Sequence, residues 1–485
     1  MAERTTRLQI AMLVIAWMPD AAGSELVAAP CPANVDPEAV ACGTLTVPED
    51  YDAPDGRQLT LYLVVVPAVQ EQPDTVPLVV LAGGPGNPVS DTAALYLEKG
   101  SPTYLLRRDR ALILLDRRGT GRSNGLRCPA LESRVALEPF YPPDLVRRCR
   151  DDLIANNDLT RFGTSEAARD LDVVREALEY ERVDLWALSY GTVLAQVYLR
   201  AFPGRVRSAV LVGTAPLDAR LPLFHAANAQ RVLELVFFEC QSDPGCSAAY
   251  PGLRSDWARV LARLTREAPV VTLKTGDDRQ AWTGELRRDV FGEAFRTLLG
   301  SAASLRRVPW MIHQAARDDW SPLLEALASD EDPPFASGLF LSVTCAEATA
   351  RITPEEVDPA VADTFLGDYR VRQQRAACEE WPKAQLPEEH FAPVASDVPV
   401  LLLVGDLDHV TPPAWSYQVA RGLARSRVIA MPHGGHLFWD WGPGSTAGAC
   451  FDELALEFFA RGDARQLDTR CAERVVPPPF KESPP

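Results

Sequence analysis

Eight short, almost wholly apolar runs recur along this chain, with helical patterns between the later ones, and they limit the fold more than any other feature. The runs are Gly43–Val47, Leu59–Val66, Leu78–Ala82, Ala111–Leu115, Val183–Leu188, Ser208–Val212, Val398–Val404 and Val428–Met431. Such brief apolar segments are too short for surface helices and read as buried strands. Strands that carry almost no polar residue are covered on both faces, as in parallel sheets. Thr164 to Tyr180 shows the intervening pattern: Ala167, Leu171, Val174 and Leu178 form one stripe, with Thr164 or Ser165 as N-cap. The expectation is an α/β fold, an eight-stranded and mostly parallel sheet with helices on both faces.

One connection breaks the rhythm. From Ala215 to Asp397 the chain runs far beyond an ordinary loop, with amphipathic stretches at Phe224–Cys240 and Leu253–Leu264. This predicts a mainly helical cap inserted after the sixth strand, above the carboxyl ends of the strands, where open α/β sheets hold ligands. The core is then split into 30–214 and 398–485, with 215–397 as the cap. The proline-rich tail Val475–Pro485 is expected to be loosely held.

The first 29 residues read as a secretory signal peptide. Arg4 and Arg7 precede the apolar run Leu8–Met18, followed by small residues through Ala29. The apolar core is too short to span a bilayer. Removal after Gly23 or after Ala29 suits the small-residue requirement. Ten cysteines agree with export, and neighbour pairing closes the shortest loops: Cys31–Cys42, Cys128–Cys149, Cys240–Cys246, Cys345–Cys378 and Cys450–Cys471. A secreted or periplasmic protein is expected, without stable membrane insertion once the leader is gone. The net charge of −17, with no offsetting basic stretch, argues against a nucleic-acid partner. Histidines and cysteines show no metal-ligand spacing, so neither metal nor cofactor is expected. The expected partner is a peptide or small-molecule substrate; the sequence is silent on oligomeric state.

The ends of the predicted strands carry the chemistry. Ser189 lies between the strand Val183–Leu188 and a helical pattern that begins at Gly191 and ends before Pro203. A serine on a tight strand-to-helix turn is pushed out of the sheet, and the helix N-terminus faces any developing negative charge. Such a serine needs a base and an acid to orient it. After the seventh strand stands Gly405-Asp406-Leu407-Asp408-His409-Val410-Thr411-Pro412, and after the eighth Pro432-His433-Gly434-Gly435-His436-Leu437. Asp408 is preferred over Asp406 because it lies deeper in the loop. His436, behind two glycines, is preferred over His433, which reads as a solvated loop residue; His409 beside the acid complicates both choices. His225, His313 and His390 are expected to be structural. A charged intermediate needs backbone donors. The amide of Tyr190 is one candidate, and the loop Ala82-Gly83-Gly84-Pro85-Gly86-Asn87 offers Gly83, then Gly84, as the other.

Taken together, these segments resemble the prolyl and tripeptidyl aminopeptidase family of α/β-hydrolases, closest to its secreted tripeptidyl branch. The likeness rests on Gly83-Gly84-Pro85-Gly86, Asp116-Arg117-Arg118-Gly119-Thr120-Gly121-Arg122-Ser123, Leu188-Ser189-Tyr190-Gly191 and Gly405–Pro413. It extends to Cys42–Pro48 and Cys240–Tyr250. The resemblance implies the α/β-hydrolase fold and a triad of Ser189, Asp408 and His436. Four residues depart from the family pattern: Ala82, Asn87, Ala187 and His409. The Asp116–Ser123 segment is expected to be a scaffold turn, with Arg118 and Arg122 tying loops by ion pairs. An aminopeptidase must also hold a free ammonium group, and Glu347, after Cys345, is the candidate that the resemblance suggests. The function expected first is therefore an exported serine aminopeptidase of tripeptidyl or prolyl type, working through an acyl-enzyme. The alternatives are an esterase or amidase with the same triad, and a catalytically silent binding protein on this fold.

Overall fold

The computed structural model describes residues 25–72, 75–101, 103–275, 280–328, 335–436 and 446–481. Its strands are β1 (Val27–Ala28), β2 (Ala41–Pro48), β3 (Gln58–Val66), β4 (Leu78–Leu81), β5 (Leu112–Asp116), β6 (Val183–Leu188), β7 (Val206–Val212), β8 (Val270–Thr275), β9 (Gln280–Glu285), β10 (Val400–Gly405) and β11 (Ser426–Met431). Nine of them form one sheet in the order β1-β2-β3-β5-β4-β6-β7-β10-β11. From β5 to β11 every neighbouring pair is parallel, and β1, β2 and β3 are added antiparallel. All eight predicted runs lie in this sheet. The expected count was one short because β1 has only two residues, too few to leave a pattern.

Alternation along the strands divides the core between the two faces. Leu61, Leu63, Val79, Leu81, Ile113, Leu185, Ala187 and Leu211 pack on one side, against the helices Thr164–Ala177 and Tyr190–Ala201. Val64, Val80, Leu112, Leu114, Trp186, Val210 and Leu403 pack on the other, against Phe451, Leu454, Phe458 and Phe459 of the helix Thr446–Arg461. Burial on both faces explains why these strands read as continuous apolar runs.

β7 and β10 are adjacent and parallel, with Ala209 opposite Val400, yet nearly the whole predicted insertion separates them in sequence. It is built mainly of helices around its own core of Trp257, Phe291, Phe295, Trp310 and Phe365. It also contains the antiparallel hairpin β8–β9, which the helical reading did not foresee. The hairpin's signature is strict alternation: Val271 and Leu273 are buried, while Val270 is 70% exposed.

Both ends of the described chain are tied down. Val27 and Ala28 pair with Thr44 and Gly43, and Leu26 is buried against the sheet. A leader ending at Ala29 would take this strand with it, whereas one ending at Gly23 would leave it in place. The rest of the predicted leader, residues 1–24, lies outside the described residues. The tail is not loose as expected: Phe480 is buried in the insertion's core, under the Arg306 guanidinium, and Lys481 Nζ sits 3.8 Å from the centre of the Trp310 ring. All five neighbouring cysteine pairs form disulfides.

Candidate active site

β6 ends at Leu188 and the helix Tyr190–Ala201 begins immediately, so Ser189 alone makes the turn. Its φ of 51° and ψ of −120° place a non-glycine residue in a strained region, a conformation held only where the surroundings fix it. The crossing is tight. A Cβ on Gly191 would stand 2.1 Å from Leu81 O, and one on Gly83 would stand 3.1 Å from Ser189 Cβ and 3.6 Å from its Oγ. Ala187, in place of a more usual glycine, is fully buried in the sheet.

His436 and Asp408 arrive from the ends of β11 and β10. His436 Nε2 lies 3.1 Å from Ser189 Oγ, and His436 Nδ1 lies 2.8 Å from Asp408 Oδ2. Asp408 is fully buried and accepts further bonds from the amides of Val410 and Thr411 and from the Thr411 hydroxyl. Burial pushes its pKa up, but the His436 ring and the Thr411 donors outweigh burial and hold it below the usual carboxylate value. Such a carboxylate fixes the imidazole's orientation and leaves Nε2 free to take the serine proton.

The runner-up residues fall elsewhere. Asp406 makes no bond to His436, and burial raises its pKa to about 6. His433 pairs with Glu239 of the helix Leu221–Ser242 at 2.9 Å, so it is not a solvated loop residue. That helix also supplies Arg231, which donates to the backbone oxygens of Asp406 and Asp408 at 3.0 and 2.5 Å. His313 is bonded to Asp256, and His390 lies 3.3 Å from Ser165 Oγ.

Glu347 is bonded within the protein. Its residue is 8% exposed, and its oxygens accept from the Thr164 amide at 2.7 Å and the Thr164 hydroxyl at 2.6 Å. The Thr164 hydroxyl in turn lies 2.6 Å from the Tyr190 hydroxyl. The helix Thr164–Ala177 has Gly163 at its N-cap position rather than Thr164 or Ser165, and the Glu347 carboxylate satisfies its first amide from a distant part of the chain. Glu347 does not hang free in a cleft.

Three residues of the site escaped the sequence reading. Thr411 braces Asp408, and its spacing of three residues from an aspartate is the one signal that could have found it. Gly213, with φ of +61°, stands where a Cβ would meet His436 Cε1 at 3.2 Å. Arg117 follows β5, the sheet neighbour of β4, and donates to the carbonyls of Ala82, Gly83 and Pro85 while covering the Tyr190 ring at 4.6 Å. With those carbonyls held toward Arg117, the loop is fixed against Ser189. Burial lowers the pKa of Arg117 to about 10. The rest of that segment is the expected scaffold: Arg118 is bonded to Asp170 at 2.6 and 2.7 Å, and Arg122 lies 3.5 Å from Asp91. Asp116 accepts from Val89, Ser90 and Arg122.

Residues 76–443 match the family model described as alpha/beta hydrolase fold. The chain belongs to the α/β-hydrolase family. Among curated relatives, this hydrolase is 31% identical to serine protease Hip1 of Mycobacterium tuberculosis over 231 residues, a stretch covering 43% of each chain. The match therefore spans less than half the length of that protein. Over nearly the full length it is 28% identical to carboxylesterase B of Mycobacterium tuberculosis, covering 89% of this chain and 86% of that one. It is 22% identical to the tripeptidyl aminopeptidase of Streptomyces coelicolor, covering 91% and 85%. Among the described residues, no helix is long and apolar enough to cross a membrane.

Proposed function

We propose that this hydrolase is an exported serine aminopeptidase that releases short peptides or single residues from free N-termini. The observation that carries the reading is the unbroken line Asp408–His436–Ser189, with contacts of 2.8 and 3.1 Å. Ser189 Oγ attacks the scissile carbonyl while its proton passes to His436 Nε2. The amide of Tyr190, with that of Gly83 or Gly84, faces the oxyanion. The tetrahedral intermediate collapses as His436 protonates the leaving amine, and water hydrolyses the acyl-enzyme by the same relay. The insertion over 215–397 acts as a cap that leaves room for only a few residues of substrate. Its contacts with both loops of the site, through Arg231 to the Asp406–Asp408 turn and through Ala336 to Gly86, support that role. Correspondence over most of the chain with a relative named tripeptidyl aminopeptidase supports the peptidase type. Five disulfides suit an oxidising compartment.

One observation favours a second reading, an esterase or amidase acting on a non-peptide substrate with the same triad. The carboxylate expected to hold the substrate ammonium, Glu347, is engaged with Thr164. The test compares tripeptide para-nitroanilides with free and acetylated N-termini, alongside labelling by a fluorophosphonate probe. Labelling that disappears in Ser189→Ala, with at least about ten-fold preference for the free N-terminus, is expected. Preference for the acetylated form or cleavage of esters alone selects the second reading, and absence of labelling overturns both.

A further inference from the structure

Beside the two loops that deliver His436 and Asp408 lies a buried charged cluster that the acyl-transfer chemistry leaves without a task. Glu293 and Arg296 come from the helix Arg288–Thr297, Arg370 from the helix Tyr369–Glu380, and His409 from the loop after β10. All four are at least nine-tenths buried. Arg296 and Arg370 both donate to Glu293 Oε1, at 2.7 and 2.6 Å. Two guanidiniums against one carboxylate leave one positive charge over. The other carboxylate beside His409 is Asp408; Arg231, which donates to its backbone oxygen, supplies the counter-charge, and His436, Thr411 and Val410 complete its hydrogen bonds.

His409 turns this charge into a directed group. Arg296 Nη1 lies 3.3 Å from His409 Nε2. A guanidinium only donates, so Nε2 is the acceptor and the ring proton resides on Nδ1. That Nδ1 is buried and has no hydrogen-bond partner among the described residues. Burial and the Arg296 charge lower the pKa of His409 to about 3, so the ring stays neutral. His225, buried on the helix Leu221–Ser242, likewise has an Nδ1 without a partner among the described residues. The cluster abuts the triad directly. A Cβ on Gly300, just beyond the Arg296 helix, would stand 3.8 Å from His409 Cε1, and one on Gly435, next to His436, would strike Gly300 O at 2.5 Å. A dry donor with no acceptor is costly to keep, and its retention beside a reactive centre points to a ligand that completes it.

We infer that His409 Nδ1–H and the uncompensated charge of Glu293–Arg296–Arg370 form an anion subsite that binds a carboxylate on the acyl portion of the substrate. The inference rests on the acyl-transfer reading of Ser189 and adds which acyl groups the site takes, whatever the leaving group.

Binding is tested without turnover, on the Ser189→Ala protein, by calorimetric titration with glutaryl-para-nitroanilide and with its neutral counterpart valeryl-para-nitroanilide. These differ in a carboxylate against a methyl group. The glutaryl compound is expected to bind about ten-fold more tightly or better, and the preference to fall below about two-fold in His409→Phe and in Arg296→Gln. Equal affinities, preference for the valeryl compound, or binding of neither overturns the subsite. A preference that survives in a folded His409→Phe protein overturns the role of His409. The ligand comparison alone decides the matter if those variants do not fold. Fluorophosphonate labelling of the unsubstituted protein reports separately on Ser189, so failure of the triad reading is distinguishable from failure of the subsite.

Discussion

Glu347 and Thr164, 183 positions apart, share two hydrogen bonds: one carboxylate oxygen takes the threonine amide at 2.7 Å and the other takes its hydroxyl at 2.6 Å. The pair joins the last residue of the helix Ser337–Glu347, within the insertion, to the first turn of a helix packed on the sheet. Glu347→Ala would leave two buried donors without an acceptor. It is expected to destabilise the protein by roughly 2–4 kcal/mol in urea unfolding, with the ratio of KM values for free and acetylated peptides unchanged. Unaltered unfolding together with a KM raised only for free N-termini would instead return Glu347 to substrate recognition.

Arg117 holds the loop after β4, the proposed oxyanion loop, through three carbonyls. Arg117→Met is expected to lower kcat roughly ten- to a hundred-fold, somewhat less than outright loss of an oxyanion donor, while KM changes by less than about two-fold. Steady-state kinetics on one substrate reads the split. A change confined to KM would show that Arg117 shapes the substrate pocket instead.

The two aspartates of the Gly405–Asp408 turn are expected to behave oppositely. Asp408→Asn leaves His436 without its charged partner, so kcat is expected to fall by roughly ten-thousand-fold. Asp406→Asn is expected to keep activity within about three-fold and to raise stability at neutral pH. The sign follows from its pKa, raised by burial from 3.8 to about 6. Between those values the folded state holds more protons than the unfolded chain, so Asp406 erodes stability as pH rises through that window. The gain from Asp406→Asn is expected to reach about 3 kcal/mol at pH 8 and to shrink toward zero near pH 4. Thermal unfolding across pH checks it, and a gain that persists at pH 4 would contradict the burial argument.

Edge strand β1 makes a prediction about maturation. Because Val27 and Ala28 are paired with β2, the proposed leader is expected to be cleaved after Gly23, leaving Ser24 as the first residue. Terminal sequencing of exported protein reads this directly. A mature chain starting at Pro30 would mean that β2 forms the edge without it.

The sheet was legible because burial on both faces leaves no polar side chain in strands such as β4 and β10. The meeting of Ser189, Asp408 and His436, the candidate triad, was legible because they stand where strands end. What stayed hidden depends on pairings between distant segments. Nothing near Glu347 announces Thr164, and nothing near Arg117 announces the loop after β4. That second contact follows from the sheet order, in which β5 lies beside β4 although 30 residues separate the end of β4 from the start of β5 in the chain. The hairpin β8–β9 carried a period-two signal, but it lay inside a region dominated by helical spacing. The tail was misread because proline content speaks of backbone conformation and says nothing of where Phe480 is buried.

Leu26 packs with the sheet, whereas Phe480 and Lys481 pack with the insertion, on Arg306 and Trp310. The two ends are therefore moored to different bodies of the molecule. A fluorophore attached ahead of Leu26 would ride on the sheet, and a second placed after Lys481 would ride on the insertion, the proposed cap. Energy transfer between the two would follow any parting of those bodies as substrate comes and goes, with no label placed inside the cleft.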